Sequence, residues 1–122
     1  WFVGGRVRPG DSPAAGAVRN VRRELGLELP QERFEVIANY SFVWSTRVQA
    51  PAENGTADIS TVFNLDITPE EAERAVLDKD EYDDARWFLA EEVLAGEFHP
   101  ALKQAVRDLR ARRAYNELED AV

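Results

Sequence analysis

The residues of this chain best suited to chemistry gather in its first third. A glycine pair, Gly4-Gly5, leads into Arg6, Arg8 and Asp11, and then into Arg19, Asn20, Arg23 and Glu24. Guanidinium groups bind anionic oxygens through a planar fork of donors. Backbone carbonyls of a loop, set beside carboxylates of a helix, make the oxygen-rich surroundings that Mg²⁺ prefers. A metal held there neutralises charge on the oxygens of an anionic group and eases departure of a leaving group. Asn20 and Glu24 are four residues apart, so on a helix they share one face. Glu24 is the acid on that face, and Arg23 stands beside it. Such a face holds fewer metals, or holds them more weakly, than one with two acids. A second acid-rich stretch runs from Asp78 to Asp84. There is no cysteine, which excludes a disulfide framework, a thiolate nucleophile and a Cys-ligated metal.

These residues need elements to position them. Ser12-Pro13 reads as a helix start, with Ser as N-cap and Pro in the first turn. Ala14, Ala17, Val18, Val21 and Leu25 recur at helical spacing, and Gly26 suits a C-terminal cap. The helix is therefore expected from Pro13 to Leu25. Ahead of it, Trp1-Phe2-Val3 reads as the end of a strand. Phe34 to Val48 is rich in β-branched and aromatic residues and predicts one or two strands. Ala50 to Ala57 reads as a loop or hairpin turn, and Ile59 to Ile67 as a further strand. Thr68-Pro69-Glu70-Glu71 opens a short helix by the same capping logic. Asp78 to Asp84 is expected as a loop, Ala85 to Leu89 as a short strand, Ala90 to Ala95 as a short helix, and Pro100 to about Leu118 as a long one.

Composition narrows the class. The chain has 122 residues, 44% of them hydrophobic, with 15 Lys+Arg against 23 Asp+Glu and a net charge of -8. This length suits one domain, 1–122, and the apolar fraction excludes low-hydrophobicity disorder. The acidic balance argues against a duplex DNA partner. No apolar run nears a membrane span, and no signal peptide is read, so a soluble, cytoplasmic protein is expected. Methionine is absent and the chain opens on Trp1, which reads as a fragment or as the ordered part of a longer protein. The 13 Arg against 2 Lys point either to a high-salt cytoplasm or to a GC-rich genome. From Asp66 to Glu97 there are twelve acids and three bases, whereas residues 1–33 hold six bases and four acids.

Gly5 to Leu27 resembles the box of the Nudix hydrolases: Gly, five residues, Glu, seven residues, Arg-Glu, an aliphatic, any residue, Glu-Glu, any residue, Gly, an aliphatic. The spacing matches throughout. Gly5, Arg19, Val21, Glu24, Gly26 and Leu27 match in type, and Asp11 is one methylene short of Glu. Asn20 and Arg23 replace two acids of the pattern. Within the superfamily the chain looks most like the GDP-mannose mannosyl hydrolases, which share the Trp-Phe-Val and Gly-Gly-Arg-Val opening and keep the acid at Glu24 alone. Gly55-Thr56, Asp83-Asp84-Ala85-Arg86-Trp87 and His99 extend the likeness downstream. Two features depart from it: a Pro usual before Gly4-Gly5 is missing, and so are the strands ahead of the box that complete the sheet and grip the nucleoside.

The resemblance implies an α/β (α+β) Nudix fold, a mixed β-sheet sandwiched between helices, with its upstream strands missing here. It implies Mg²⁺ (Mn²⁺ also suits) on the Gly4 carbonyl, Glu24 and Glu81, and Arg6 on the departing diphosphate. Tyr82 stands where the subfamily has its general-base His. A phenol with a reference pKa near ~10 is a poor base, so Tyr82 reads more simply as a packing or substrate-stacking residue, with Asp80, Asp83 and Asp84 as nearby substitutes. Arg19 reads as a residue that orients the loop and the acids rather than one that touches substrate. Asp11 is either its partner or a plain loop acid, and Asn20 is placed behind the site. His99 is expected to cap the last helix, Trp44 and Trp87 to lie in the core, and Arg107, Arg110, Arg112 and Arg113 to form a solvated helix face.

The expected activity is Mg²⁺-dependent hydrolysis of a nucleoside diphosphate linked to another group, a nucleotide sugar of the GDP-mannose type, with no nucleic acid or membrane partner. The resemblance also suggests a homodimer. Two alternatives stand beside it. One is a Nudix pyrophosphatase acting on ADP-ribose or a nucleoside triphosphate. The other is a degenerate Nudix domain that binds a nucleotide or a protein without turnover.

Overall fold

A computed structural model describes residues 2–120 of the chain. Among these residues four α-helices and two strands follow in the order α1 (Pro13–Leu25), β1 (Phe34–Trp44), β2 (Thr56–Leu65), α2 (Pro69–Arg74), α3 (Ala90–Ala95) and α4 (Pro100–Asp120). Helix α1 has the predicted bounds because both ends are chemically marked. The Ser12 hydroxyl accepts the Ala15 N–H at 3.1 Å. Gly26 adopts φ +66°, a left-handed conformation that glycine takes without steric cost, and its N–H returns to the Arg22 carbonyl at 3.0 Å. Helix α2 begins with a complete capping box, Thr68 and Glu71 each satisfying the other's backbone N–H.

β1 and β2 pair antiparallel, from Phe34 opposite Leu65 to Trp44 opposite Thr56. The 34–48 stretch holds one strand, which ends at Trp44 short of Val48, and β2 starts three residues earlier than expected. The hairpin is turned by Gly55, at φ +68°, where a Cβ would meet the Trp44 carbonyl oxygen at 2.2 Å. Ile37 is an extra residue in β1, where the register shifts between Val36 and Ala38. A bulge of this kind leaves carbonyls outside the ladder. Here Arg112 of α4 fills the gap, donating to the Val36 carbonyl and, at 2.7 Å, to the Ile37 carbonyl. The Tyr40 hydroxyl donates to Asp108 Oδ2 at 2.5 Å, a second tie between β1 and α4. Arg112 is thus a clamp and not part of a solvated face. Arg110 and Arg113 reach Glu91 and Asp66 at 3.8 and 3.1 Å.

The main core joins α1 to the open end of the hairpin. Val21, Leu27, Leu29 and Phe34 are buried there, with Ala17, Val18, Leu25, Phe63, Leu65 and Ile67 packed around them. The sheet is two-stranded among the described residues, so the antiparallel part of the expected sheet is what they contain. Phe2 and Val3 form no strand, and Trp1 lies outside the described residues. Residues 85–89 also form no strand. Among the described residues no strand pairs with them, and Trp87 is 79% exposed instead of lying in the core. Trp44 is likewise partly exposed, its Nε1 donating to Asp58 at 3.2 Å. No helix of the described residues is long and apolar enough to cross a membrane.

Candidate active site on the first helix

Helix α1 carries a second buried stripe beside its apolar one. Gly16, Asn20 and Glu24 are all buried, four residues apart, and therefore aligned. The loop 2–10 covers this stripe. At Gly16 a Cβ would meet Val7 at 3.4 Å. At Gly5 it would crowd Asn20 Oδ1 at 3.0 Å and Arg23 Nη2 at 3.2 Å. Gly5 thus lets the backbone close over polar side chains, and Gly16 lets Val7 pack on the helix.

Glu24 is 1% exposed. Its Oε2 accepts the Gly4 N–H at 2.8 Å. Its Oε1 lies 3.2 Å from the Tyr82 hydroxyl and 3.4 Å from Arg23 Nη2. Burial pushes the Glu24 carboxyl above the usual carboxylate range, and these three partners pull against that rise. Tyr82 is half-buried beside the same carboxylate, and both facts push its hydroxyl up to about 12. It stays protonated at neutral pH, donating between Glu24 Oε1 and the Phe2 carbonyl, each at 3.2 Å.

The last carbonyls of a helix lack partners inside the helix. In α1 they are taken by the acidic segment: Val76 N–H donates to the Leu25 carbonyl at 2.8 Å and Asp78 N–H to the Glu24 carbonyl at 2.9 Å. This docking brings residues 78–84 to Glu24, and the turn that follows, closed by Glu81 and Tyr82 N–H groups on the Asp78 carbonyl, aims Tyr82 inward. Sequence reasoning missed the docking, although a helix end facing an acidic loop is a signal for it.

Gly4, Glu24 and Glu81 are brought to one place, and Arg23 links them. Arg23 Nη2 lies 3.4 Å from the Gly4 carbonyl, and Nη1 lies 3.7 Å from Glu81 Oε1. All these donors are oxygens, the chemistry a hard divalent cation takes, and a positive group already sits among them. The side chains that converge are two carboxylates: no three His, Asp or Glu residues cluster for a metal among the described residues.

Arg19 does not face outward. It pairs with Asp11 and donates to the Arg6 carbonyl at 2.8 Å, which pins the loop to the helix. Arg6, Arg8, Arg19, Asn20, Arg22 and Arg23 line one open cleft of about 530 Å³. His99 lies elsewhere in the fold, its Nδ1 accepting the Ala101 N–H at 3.1 Å and its ring 6.2 Å from that of Trp44. Asp84 is engaged by Arg86 at 3.3 Å, while Asp80 and Asp83 are exposed.

The NUDIX domain family model matches residues 1–109, most of the chain. No curated protein matches the sequence closely enough to count as a relative. With the box helix, its covering glycine loop and the match over residues 1–109, the chain belongs to the Nudix family, whose members hydrolyse nucleoside diphosphate derivatives, generally with Mg²⁺ or Mn²⁺.

Proposed function

We propose that this chain hydrolyses a nucleotide sugar of the GDP-mannose type. The observation that carries the substrate class is the arginine cleft. Five guanidinium groups line one opening beside Glu24 in a chain of net charge -8. Such a local reversal of charge suits a diphosphate, whose oxygens accept paired N–H donors. The sugar-nucleotide reading rests on residue matches: Asn20 and Arg23 in place of acids, Gly55-Thr56, and Asp83 to Trp87.

The roles follow from position. Arg6 contacts the departing diphosphate, and Arg8 and Arg22 add charge along the cleft. Arg19, held by Asp11 and the Arg6 carbonyl, positions the loop. Gly4, Glu24 and Glu81 would hold Mg²⁺, which supplies charge neutralisation at the diphosphate when bound. Tyr82 holds its proton and steadies Glu24, so the base is an exposed carboxylate of the acidic segment, Asp80 or Asp83. That base takes a proton from water as the water oxygen bonds to the anomeric carbon. The bond from that carbon to the diphosphate oxygen breaks, and the nucleoside diphosphate leaves with the electron pair.

A second reading, nucleotide binding without turnover, is favoured by Arg23 standing among the donor oxygens. Incubation of the protein with GDP-mannose and Mg²⁺, followed by phosphorus NMR, tests both. GDP with free mannose supports the proposal. GMP with mannose 1-phosphate moves attack to phosphorus. Unchanged substrate that nonetheless raises the melting temperature supports the binding reading.

A further inference from the structure

We infer that Arg23 is a tethered cation occupying the oxygen cluster at the end of α1, and that a divalent metal must displace it. The inference rests on the proposed function for the identity of the incoming ion.

One nitrogen, Arg23 Nη2, lies 3.4 Å from the Gly4 carbonyl, 3.5 Å from Asn20 Oδ1 and 3.4 Å from Glu24 Oε1. The other, Nη1, lies 3.7 Å from Glu81 Oε1. Four oxygens from three separate segments thus surround one guanidinium. A buried carboxylate is costly unless positive charge and hydrogen bonds compensate it. Gly4 and Tyr82 give Glu24 neutral donors, and Arg23 is its cationic partner among the described residues.

The manner of holding matters. An Nη nitrogen carries two hydrogens and here faces three oxygens, all beyond the usual hydrogen-bond distance. Charge holds the group in place more than directed bonds do. Its side chain is 50% exposed, so it has solvent to move into. A cation bound loosely in a ring of oxygens, on a flexible stem, is one that a more highly charged ion replaces. Gly5 leaves the room for it, since a Cβ there would stand 3.2 Å from Nη2. The protein thereby neutralises its own site when metal is absent, at the expense of metal affinity.

The test is Mn²⁺ binding, read by the electron paramagnetic resonance of the free ion, to the parent chain and to Arg23→Gln and Arg23→Lys. Removing the competing charge tightens Mn²⁺ binding by roughly ten-fold in Arg23→Gln, and Arg23→Lys stays near the parent. In EDTA the melting temperature of Arg23→Gln falls below that of the parent, and saturating Mg²⁺ raises it by more than it raises the parent. Equal or weaker Mn²⁺ binding by Arg23→Gln overturns the inference. Should that variant fail to fold, nitrogen NMR of the parent's arginine side chains decides. The Arg23 signal, assigned with Arg23→Lys, gains rotational freedom on Mg²⁺ saturation, and an unchanged signal overturns the inference. Absence of Mn²⁺ binding in every protein sinks both this inference and the metal reading. Displacement of Arg23 without hydrolysis of GDP-mannose upholds the inference and sinks the substrate reading alone.

Discussion

The Tyr82 hydroxyl lies 3.2 Å from Glu24 Oε1, across 58 residues of sequence. That contact joins the acidic segment to the box helix. It also raises the pKa of Tyr82: burial and the Glu24 carboxylate both push the hydroxyl up, to about 12. A group in that state donates a hydrogen bond and takes no proton from water at neutral pH.

Tyr82→Phe is therefore expected to lose less than about ten-fold in kcat/KM and to keep the shape of the pH profile. Removing a general base costs about 10²–10⁴-fold. The stability cost is about 1 kcal/mol, the usual net worth of one hydrogen bond. A loss of a thousand-fold, with the rise of rate with pH gone, would make Tyr82 the base after all.

Glu24→Gln separates function from stability. The folded-state pKa of Glu24 lies above its ordinary value of 4.5, chiefly because of burial. The sign follows from linkage: its contribution to stability is fully present below pH 4.5 and is lost as pH rises through the folded pKa. The neutral amide escapes that loss. In metal-free buffer the variant and parent are expected to melt together near pH 4, with the variant becoming the more stable at neutral pH. Its hydrolysis should fall by at least about 10²-fold, as loss of a metal ligand requires more than the 10–100-fold typical of an outer partner. Melting curves across pH 4–8, with and without Mg²⁺, check both halves. A variant less stable than the parent at pH 7 in EDTA would contradict the account.

Much of this site can be read from sequence because its helix is punctuated at both ends. Ser12-Pro13 and Gly26 fix α1, and the spacing from Gly5 to Leu27 fixes which of its residues face the loop. What the spacing hides is the use of a substituted residue. Arg23 looks like an acid lost, whereas in the fold it reaches across Gly4, Asn20, Glu24 and Glu81. Residues 85–89 fail to form a strand for a similar reason: an apolar run specifies a strand only where a neighbour accepts its backbone. Arg112 shows the converse. Nothing in an Arg-rich helix announces that one guanidinium will fill a bulge in β1 made by Ile37.

The pair Arg33–Glu71 governs acid tolerance. Both Nη nitrogens of Arg33 bond the carboxylate, at 2.6 and 2.7 Å, and Nη2 also bonds the Asp66 carbonyl at 2.7 Å. Arg33 and the Thr68 N–H hold the Glu71 carboxyl down at about 2. A depressed pKa means stability fully present above pH 4.5 and lost as pH falls through about 2. Glu71→Gln should melt below the parent at pH 7, and the gap should close as pH falls from 4.5 to 2. A gap independent of pH would show that the pair contributes shape and no charge.

Gly55 and Gly10 both have positive φ, +68° and +89°, but only one is crowded. At Gly55 a Cβ would stand 2.2 Å from the Trp44 carbonyl oxygen, and at Gly10 it would meet nothing within 4 Å. Alanine at Gly10 therefore costs the backbone alone, about 1–2 kcal/mol. Alanine at Gly55 adds a clash with β1 itself, at the pair Trp44–Thr56 that closes the hairpin. Relief requires the turn to open, so the cost should exceed the ~1–3 kcal/mol of a strained residue by losing the end of the ladder as well. Urea unfolding of the two variants gives the difference directly. Equal losses would mean that the hairpin accommodates the methyl, and that the Gly55-Thr56 pair serves something other than closure of the turn.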